Sequence, residues 1–324
     1  MSNAKNAPGK HYRKGISLIK AVQEFGDETK AEAWLVSQRW PDGMACPYCE
    51  SESVSPRATA RKTPQYRCRT CRKDFTVKTG SIMQDSKLPL SKWALAYYLC
   101  TTNLKGVSSM KLHRDLEMTQ KTAWYLAMRI RETLADETER MAGPVEADET
   151  FIGGKEGNKH ESKKLHAGRG SVGKTAVAGL KDRTTNQVKA QVVENVDGAT
   201  LKGFVHMNTE YGAQVYTDEA GAYRGLNRPH EAVAHSAKEY VREQAHTNGI
   251  ESFWSMLKRG HDGTYHHFSV KHLDRYVTEF EGRHNSRPMD TEAQMGRMTR
   301  RGVGKHLPYA TLIGPEDSRL TGGI

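Results

Sequence analysis

The chain has 324 residues, of which 36% are hydrophobic, so it can bury the cores of about two or three domains. Lys and Arg number 49 against 38 Asp and Glu, and the formal net charge of +11 favours a polyanionic partner, nucleic acid first and a membrane surface second. The sequence has no apolar run long enough for a transmembrane helix or a secretory signal, so we expect a soluble, cytoplasmic protein.

The first predicted elements are short helices between residues 14 and 40, where apolar residues recur at helical spacing. The stretch "PDG" that follows, Pro41 to Gly43, predicts a turn. It leads directly into the first of two cysteine pairs.

Four of the five cysteines form two Cys-x-x-Cys pairs, Cys46 with Cys49 and Cys68 with Cys71, and 18 residues separate the pairs. The residues around the second pair, "YRCRTCRKDFTV", alternate like β-strands. Four thiolates in two knuckles can enclose one tetrahedral Zn²⁺ with no open position, which predicts a zinc ribbon with a structural metal. Four free core cysteines would not produce paired knuckles at this spacing. Cys100 is expected to be a small core residue.

Residues 88 to 137 predict three helical segments. Pro89 and Ser91 open the first, Ser108 can cap the second, and Thr119 can cap the third, "QKTAWYLAMRIRETL". A short helix, a tight turn and a further helix make a helix-turn-helix, whose last helix can enter a DNA major groove. The residues of the third segment that we expect to contact DNA are Lys121, Arg129 and Arg131. The alternative is a three-helix packing module whose arginines are solvated.

After Gly143 and Pro144 the pattern becomes strand-like. Five strands are predicted, with a helix over residues 200–210 between the third and the fourth, and this order indicates an α/β sheet. The predicted strands cover residues 145–151, 175–182, 187–196, 213–219 and 231–237. Between the first two lies a basic loop, residues 153–174, which is either a solvated surface or a phosphate clamp.

Asp148 is placed at the end of the first of these strands and Asp218 at the end of the fourth. The carboxyl ends of parallel strands meet at one edge of an α/β sheet, and Glu251 could reach that edge from the following helix. Three carboxylates together need cations or raised pKa values, and we favour two Mg²⁺ or Mn²⁺ ions roughly 3.5–4 Å apart. Such a site can activate a water or a 3′-hydroxyl.

The helix that carries Glu251, "HTNGIESFWSMLKRG", also carries Lys258 on the same flank, about 20° away. The two residues are seven positions apart, which is too far for a helical salt bridge, so we expect Lys258 to contact a DNA phosphate. Asn248 is the rival of Glu251 as third metal ligand, since it offers a neutral oxygen. The apolar stripe that predicts the buried face consists of Ile250, Phe253, Trp254 and Leu257.

Together these motifs resemble those of bacterial DDE transposases of insertion sequences, specifically the ISXO-type group. The resemblance runs from about residue 16 to residue 290. It rests on "RWPDGMACPYC", "YRCRTCRKDFTVKTGSIM", "GVSSMKLHRDLEMTQKTAWYLAMRIRE", "VEADETFIGGK", "VYTDEAGAY", "HTNGIESFWSMLKRG" and "HHFSVKHLDRYVTEF". It implies an RNase H-like α/β catalytic domain preceded by a small zinc ribbon and a helix-turn-helix.

The resemblance also implies a domain order. The expected divisions are an N-terminal helical segment (1–45), the zinc ribbon (46–80), the helix-turn-helix (88–137), the catalytic domain (143–290) and a C-terminal tail without a motif (291–324). Asp148, Asp218 and Glu251 occupy the positions of the family's acidic triad, and Lys258 that of its following lysine.

The activity that the resemblance implies is metal-dependent cleavage and strand transfer of DNA at the inverted repeats of a mobile element. The expected partners are the terminal repeats and target DNA, bound by a homo-oligomer that associates with the nucleoid, with no membrane and no small-molecule substrate. The alternatives are a catalytically inactive DNA-binding descendant of a transposase and an RNase H-fold nuclease or resolvase.

Overall fold

The structure is a computed structural model that describes residues 14–57, 64–135, 139–154, 157, 160–164, 171–218, 221–233 and 247–314. The chain forms two compact units: Met1–Leu134 together with Ser286–Ile324, and Ala135–Asn285. No helix within the described ranges is long and apolar enough to cross a membrane.

The first unit begins with two short helices, as predicted, α1 (Leu18–Phe25) and α2 (Glu28–Arg39). A small antiparallel sheet follows, with strands β1 (Val54–Arg57), β2 (Gln65–Cys68) and β3 (Asp74–Phe75) in that spatial order. Cys46, Cys68 and Phe75 form its buried cluster. The predicted strands around the second cysteine pair are therefore confirmed.

Three helices complete this part of the unit: α3 (Leu90–Thr102), α4 (Ser109–Asp115) and α5 (Gln120–Glu132). Ser108 caps α4 and Thr119 caps α5, because each hydroxyl accepts a hydrogen bond from the backbone N–H three residues later. Both caps agree with the sequence-based prediction.

The second unit contains a five-stranded sheet in the order β6-β5-β4-β7-β8. Its strands are β4 (Val145–Ile152), β5 (Thr175–Asp182), β6 (Val188–Val193), β7 (Val215–Asp218) and β8 (His230–Val233). β4, β5 and β6 pair antiparallel, whereas β4 with β7 and β7 with β8 pair parallel. The helix α6 (Gly198–Asn208) precedes the first parallel crossover strand, as predicted.

Alternation along β4 separates the two faces of this sheet. Val145 and Ala147 pack against residues of α6. Glu146 and Asp148 alternate with them along the strand, so their side chains point to the opposite face. That face is covered by α7 (Asn248–Gly260), while α8 (Leu273–Asn285) packs against β6. Helices on both faces of a mixed sheet make the α/β layer arrangement that the sequence predicted.

Parts of three predictions lie outside the described residues. The end of the fourth predicted strand, the end of the fifth (234–237) and much of the basic loop 153–174 are among them. The phosphate-clamp interpretation of that loop therefore stays a prediction.

The chain then returns to the first unit through α9 (Thr291–Arg301) and α10 (Tyr309–Ile313). α9 packs against α2 and α3, and Ser81 forms an isolated bridge with Val303. The region that the sequence left without an interpretation is thus folded as far as residue 314.

Candidate active site

Asp148 and Asp218 lie on adjacent parallel strands. The register pairs Val145 with Val215, and each aspartate follows its valine by three residues, so the two carboxylates stand level on one face. The prediction that Asp148 ends its strand is wrong: β4 continues to Ile152, because β5 pairs with it along its whole length. Asp218, in contrast, is the last residue of β7, as predicted.

The environment of Asp148 disfavours a negative charge. Burial raises the pKa of this carboxyl to about 7, and repulsion from Glu149 and Asp218 adds to the effect. The indole Nε1 of Trp254 donates a hydrogen bond of 2.9 Å to Oδ2, which acts in the opposite direction. A buried acid with a strongly shifted pKa beside another acid is typical of a functional site, and a bound cation would favour the ionised form.

The position of Trp254 depends on a glycine. Gly179 on β5 is the register partner of Asp148, and a Cβ there would lie 2.5 Å from the indole ring. Only glycine at this position therefore leaves room for the indole ring next to the aspartate. The sequence predicts Trp254 only as part of the apolar stripe of its helix, because periodicity cannot show which strand residue an aromatic ring contacts.

A second carboxylate on β4, Glu146, fixes the start of α7. Its Oε2 accepts a hydrogen bond of 2.8 Å from the backbone N–H of Ile250, and its Oε1 accepts one of 2.8 Å from Arg183 Nε. The N-cap residue Thr247 makes no side-chain cap bond, so Glu146 takes that role from the sheet. Gly249 leaves room for it, since a Cβ there would lie 2.7 Å from Oε2. The sequence analysis did not identify this contact.

Glu251 lies on the surface of α7, where Thr247 Oγ1 donates a hydrogen bond of 3.1 Å to its Oε1. It precedes Trp254 by three residues, so the two side chains are neighbours on the helix. Among the described residues, however, the three carboxylates do not form a cluster with all ligand atoms within 4.8 Å of one another. The structure places Asp148 and Asp218 level on adjacent strands and Glu251 in the first turn of the helix that covers this face of the sheet.

The remaining residues predicted on α7 are both accessible. Asn248 is the first residue of the helix and Lys258 lies in its last turn, and both are exposed. Their exposure is compatible with the predicted roles of Asn248 as a metal ligand and Lys258 as a phosphate contact. Asn248 and Glu251 are both exposed on this helix.

Glu149 extends toward the other face of the sheet. The hydroxyl of Tyr223 donates a hydrogen bond of 3.0 Å to its Oε2. Burial raises the pKa of Glu149, with a further contribution from Asp218. Its importance to the site is electrostatic, because its charge also raises the pKa of Asp148.

The four predicted zinc ligands converge in the first unit. The Sγ atoms of Cys46, Cys49, Cys68 and Cys71 all lie within 4.8 Å of one another, with Cys46–Cys71 at 3.6 Å and Cys49–Cys68 at 3.7 Å. Zn–S bonds of about 2.3 Å in a tetrahedron give S···S edges of roughly 3.8 Å, so the cluster fits a zinc ion. The backbone N–H groups of Cys71 and Thr70 lower the pKa of Cys68 to about 6, which favours the thiolate that zinc binds.

The structure corrects two of the three predicted DNA contacts on α5. Arg129 and Arg131 are only 3% and 4% exposed. The guanidinium of Arg129 donates to the carbonyl of Gln84 at 2.6 Å, and Arg131 Nη1 lies 3.6 Å from Met128 Sδ. Their side of α5 faces the interior of the unit, so they are structural residues. Lys121, in the first turn, is exposed.

The sheet order, the aspartates on its two central parallel strands and the four-cysteine cluster define a protein with a zinc ribbon and an RNase H-like DDE domain. Residues 140–285 match the ISXO2-like transposase domain, and residues 26–74 match the transposase zinc-ribbon domain. The chain belongs to the ISXO2-like DDE transposases of insertion sequences.

A relative in Halobacterium salinarum (strain ATCC 700922 / JCM 11081 / NRC-1), described as an uncharacterized protein in transposable element ISH50, is 28% identical over 250 residues. The match covers 74% of this chain and 84% of that protein. Among solved structures, the cryoEM structure of a simian T-cell lymphotropic virus intasome in complex with PP2A regulatory subunit B56 gamma aligns at 11% identity with a TM-score of 0.27. That alignment covers 52% of this chain and 67% of the other.

Proposed function

We propose that this protein binds the terminal inverted repeats of an insertion sequence and catalyses metal-dependent DNA cleavage and strand transfer. The observation that supports this most directly is the pair Asp148 and Asp218, level on adjacent parallel strands of a transposase domain, with a pKa near 7 at Asp148. Two neighbouring carboxylates in which one resists ionisation are suited to hold a hard divalent cation.

The metal ions we assign to this site are Mg²⁺ or Mn²⁺, two per active site, and they would supply activation of the attacking oxygen and stabilisation of the leaving oxygen. Asp148 and Asp218 would hold them from the sheet, and Trp254 would orient Asp148 by occupying its Oδ2 and leaving Oδ1 for a ligand bond. We assign Glu251 as the third ligand, because a carboxylate balances cation charge better than the neutral Asn248.

DNA binding follows from the transposase domain and the net charge of +11. Lys258 would contact a phosphate beyond the metal site, and Lys121 would contact DNA from the first turn of α5. The zinc ion in the ribbon would be structural, since four thiolates leave no open position. We further propose that the active form is a homo-oligomer assembled on DNA, which cuts the element's ends and joins them to target DNA.

Strand transfer of pre-cleaved ends with Mg²⁺ tests the assignment. Asp148→Asn, Asp218→Asn and Glu251→Gln should each abolish transfer but retain binding of end DNA, because each removes a charge that balances the cations. Asn248→Ala should be milder, and Lys258→Ala should weaken end binding and increase the salt sensitivity of transfer.

Activity of Glu251→Gln together with an inactive Asn248→Ala would reverse the choice of third ligand. Wild-type protein that binds ends without cutting would indicate an inactive descendant, and cutting of unrelated or branched DNA without joining would indicate a nuclease or resolvase. Full activity of all five variants would place the site elsewhere.

A further inference from the structure

The C-terminal segment, residues 302–314, has no recognisable motif, yet it is docked on α5. The carbonyl of Leu307 accepts hydrogen bonds from the Tyr125 hydroxyl at 2.7 Å and from Arg129 Nε at 3.4 Å. Lys305 Nζ donates to the carbonyl of Glu132 at 2.6 Å. Leu307 itself is buried, so the segment is an integral part of the unit.

With the segment in place, the accessible part of α5 is its beginning. Every side chain from Leu126 to Arg131 is buried, whereas Gln120 and Lys121 are exposed and Trp124 is half-buried. In a helix-turn-helix, the N-terminal residues of the second helix are those that reach base edges. The end of α5 that remains accessible is therefore the end that DNA recognition requires.

Tyr309 of α10 lies directly beside this turn. Its ring centroid is 4.8 Å from Lys121 Nζ, and its ring makes edge-to-face contacts with Trp124 and Tyr125 at centroid distances of 6.4 Å and 5.4 Å. The two aromatic contacts restrict the tyrosine ring, and the ring in turn restricts the lysine. An ammonium group has three donors, so it can face a ring and still donate to a phosphate.

We propose that residues 302–314 and the first turn of α5 form one surface for duplex DNA, in which Tyr309 positions Lys121 for a phosphate contact. The inference rests on the proposed DNA binding and extends it to a segment outside the matched domains. Duplex DNA fits because the surface combines an exposed cation with a helix start, both of which favour a phosphate. Arg114 on α4 adds a second exposed cation to the same helix-turn-helix.

Fluorescence anisotropy of the full-length protein with a duplex of the element's end, measured over a series of salt concentrations, tests this surface. Tyr309→Leu should weaken binding about two- to fivefold, the usual effect of losing a cation–π contact at an exposed site. Lys121→Ala should reduce the log–log salt slope by about 0.9, because one phosphate contact is lost. The double variant should bind like Lys121→Ala alone, since Tyr309 acts through that lysine.

Two variants serve as matched controls. Tyr309→Phe keeps the ring and should bind like wild type, and Tyr211→Leu makes the same substitution at an exposed tyrosine that contacts Arg228 outside the proposed surface, so it should have no effect. Wild-type affinity of Tyr309→Leu, or additive losses in the double variant, would overturn the proposal. If Tyr309→Leu does not fold, an unchanged salt slope for Lys121→Ala would overturn it equally. Wild-type protein that binds no duplex DNA would instead refute the proposed function.

Discussion

At the residue scale, two acidic side chains on one face of β4, Asp148 and Glu146, make different contacts. Asp148, our proposed metal ligand, accepts a hydrogen bond from Trp254, and Glu146, two positions earlier on the same face, anchors the helix that covers it. Glu146 is only 1% exposed and is paired with Arg183, which offsets the cost of burying its charge. Asp148 is buried beside two other acids, and burial together with the charges of Glu149 and Asp218 raises its pKa.

This difference predicts how Asp148 affects stability without divalent ions. The pKa is about 7 in the folded protein and about 3.9 in an unfolded chain, so the folded state binds the proton more tightly and loses stability as pH rises from about 4 to about 7. Asp148→Asn should therefore raise the melting temperature more at pH 8 than at pH 5. Thermal unfolding in buffers free of Mg²⁺ and Mn²⁺ measures this.

Asp197 provides the control for that measurement. It caps α6, and the N–H of Thr200 lowers its pKa, so its ionised form stabilises the fold above the unfolded pKa. Asp197→Asn should not raise the melting temperature at pH 8. Equal stabilisation by both variants would mean that general charge reduction, and not the site of Asp148, causes the effect.

A second prediction at the residue scale concerns Trp254. Trp254→Phe retains an aromatic ring over Gly179 but removes the hydrogen bond to Asp148, so metal affinity should fall about 10- to 100-fold, as for other outer-shell partners of metal ligands. The readouts are the Mn²⁺ concentration that gives half of the maximal thermal stabilisation and the Mn²⁺ requirement of strand transfer. Trp34→Phe is the control, because Trp34 Nε1 has no hydrogen-bond partner among the residues that the structure describes. Unchanged Mn²⁺ dependence would disprove an orienting role for Trp254.

At the element scale, packing partners decide which face of a helix is available for function. The α5 sequence has two arginines that we predicted to contact DNA, and both are buried. The loop near Gln84 and the C-terminal segment cover Arg129, which donates hydrogen bonds to both. In the zinc ribbon, by contrast, the functional cluster can be predicted from the sequence. Its short strands would be only marginally stable alone, and the spacing of the cysteines predicts the cluster that joins them.

The ribbon prediction is that one zinc ion is bound per chain and that Cys68→Ser loses it and unfolds the ribbon, since metal binding is coupled to folding in such small domains. Metal analysis together with the near-UV circular dichroism spectrum measures both. Cys100→Ala is the matched control, because Cys100 is buried in α3 and lies outside the cluster. Zinc retained by a folded Cys68→Ser variant would contradict the assignment.

At the scale of the whole molecule, we expect the net charge to contribute to DNA binding independently of the residues of the active site. The net charge of +11 predicts that binding to an unrelated duplex weakens steeply with salt, by roughly 10³- to 10⁵-fold between 50 and 200 mM if 6–10 phosphates are contacted. End DNA should retain a larger fraction of its affinity, because contacts to base edges do not release counterions. Anisotropy titrations with both duplexes measure the two slopes, and identical affinities at every salt concentration would indicate no recognition of the ends.

Much of the architecture was determined by the sequence alone. The caps Ser108 and Thr119, the strand candidates of the sheet and the spacing of the cysteines all depend on interactions between residues close in the chain or on regular patterns. Local hydrogen bonds and strand alternation have fixed geometry, so their positions follow from residue type and spacing.

Only the tertiary structure decided the contacts between distant segments. Trp254 meets Asp148 and Glu146 meets Ile250 across more than 100 residues, and Arg129 is buried by residues far from it in the chain. No local pattern encodes these contacts, because they depend on how each helix is placed on its neighbours. The acidic residues that we propose for the site were recognisable in the sequence, but the side chains that contact them depend on packing that forms when the chain folds.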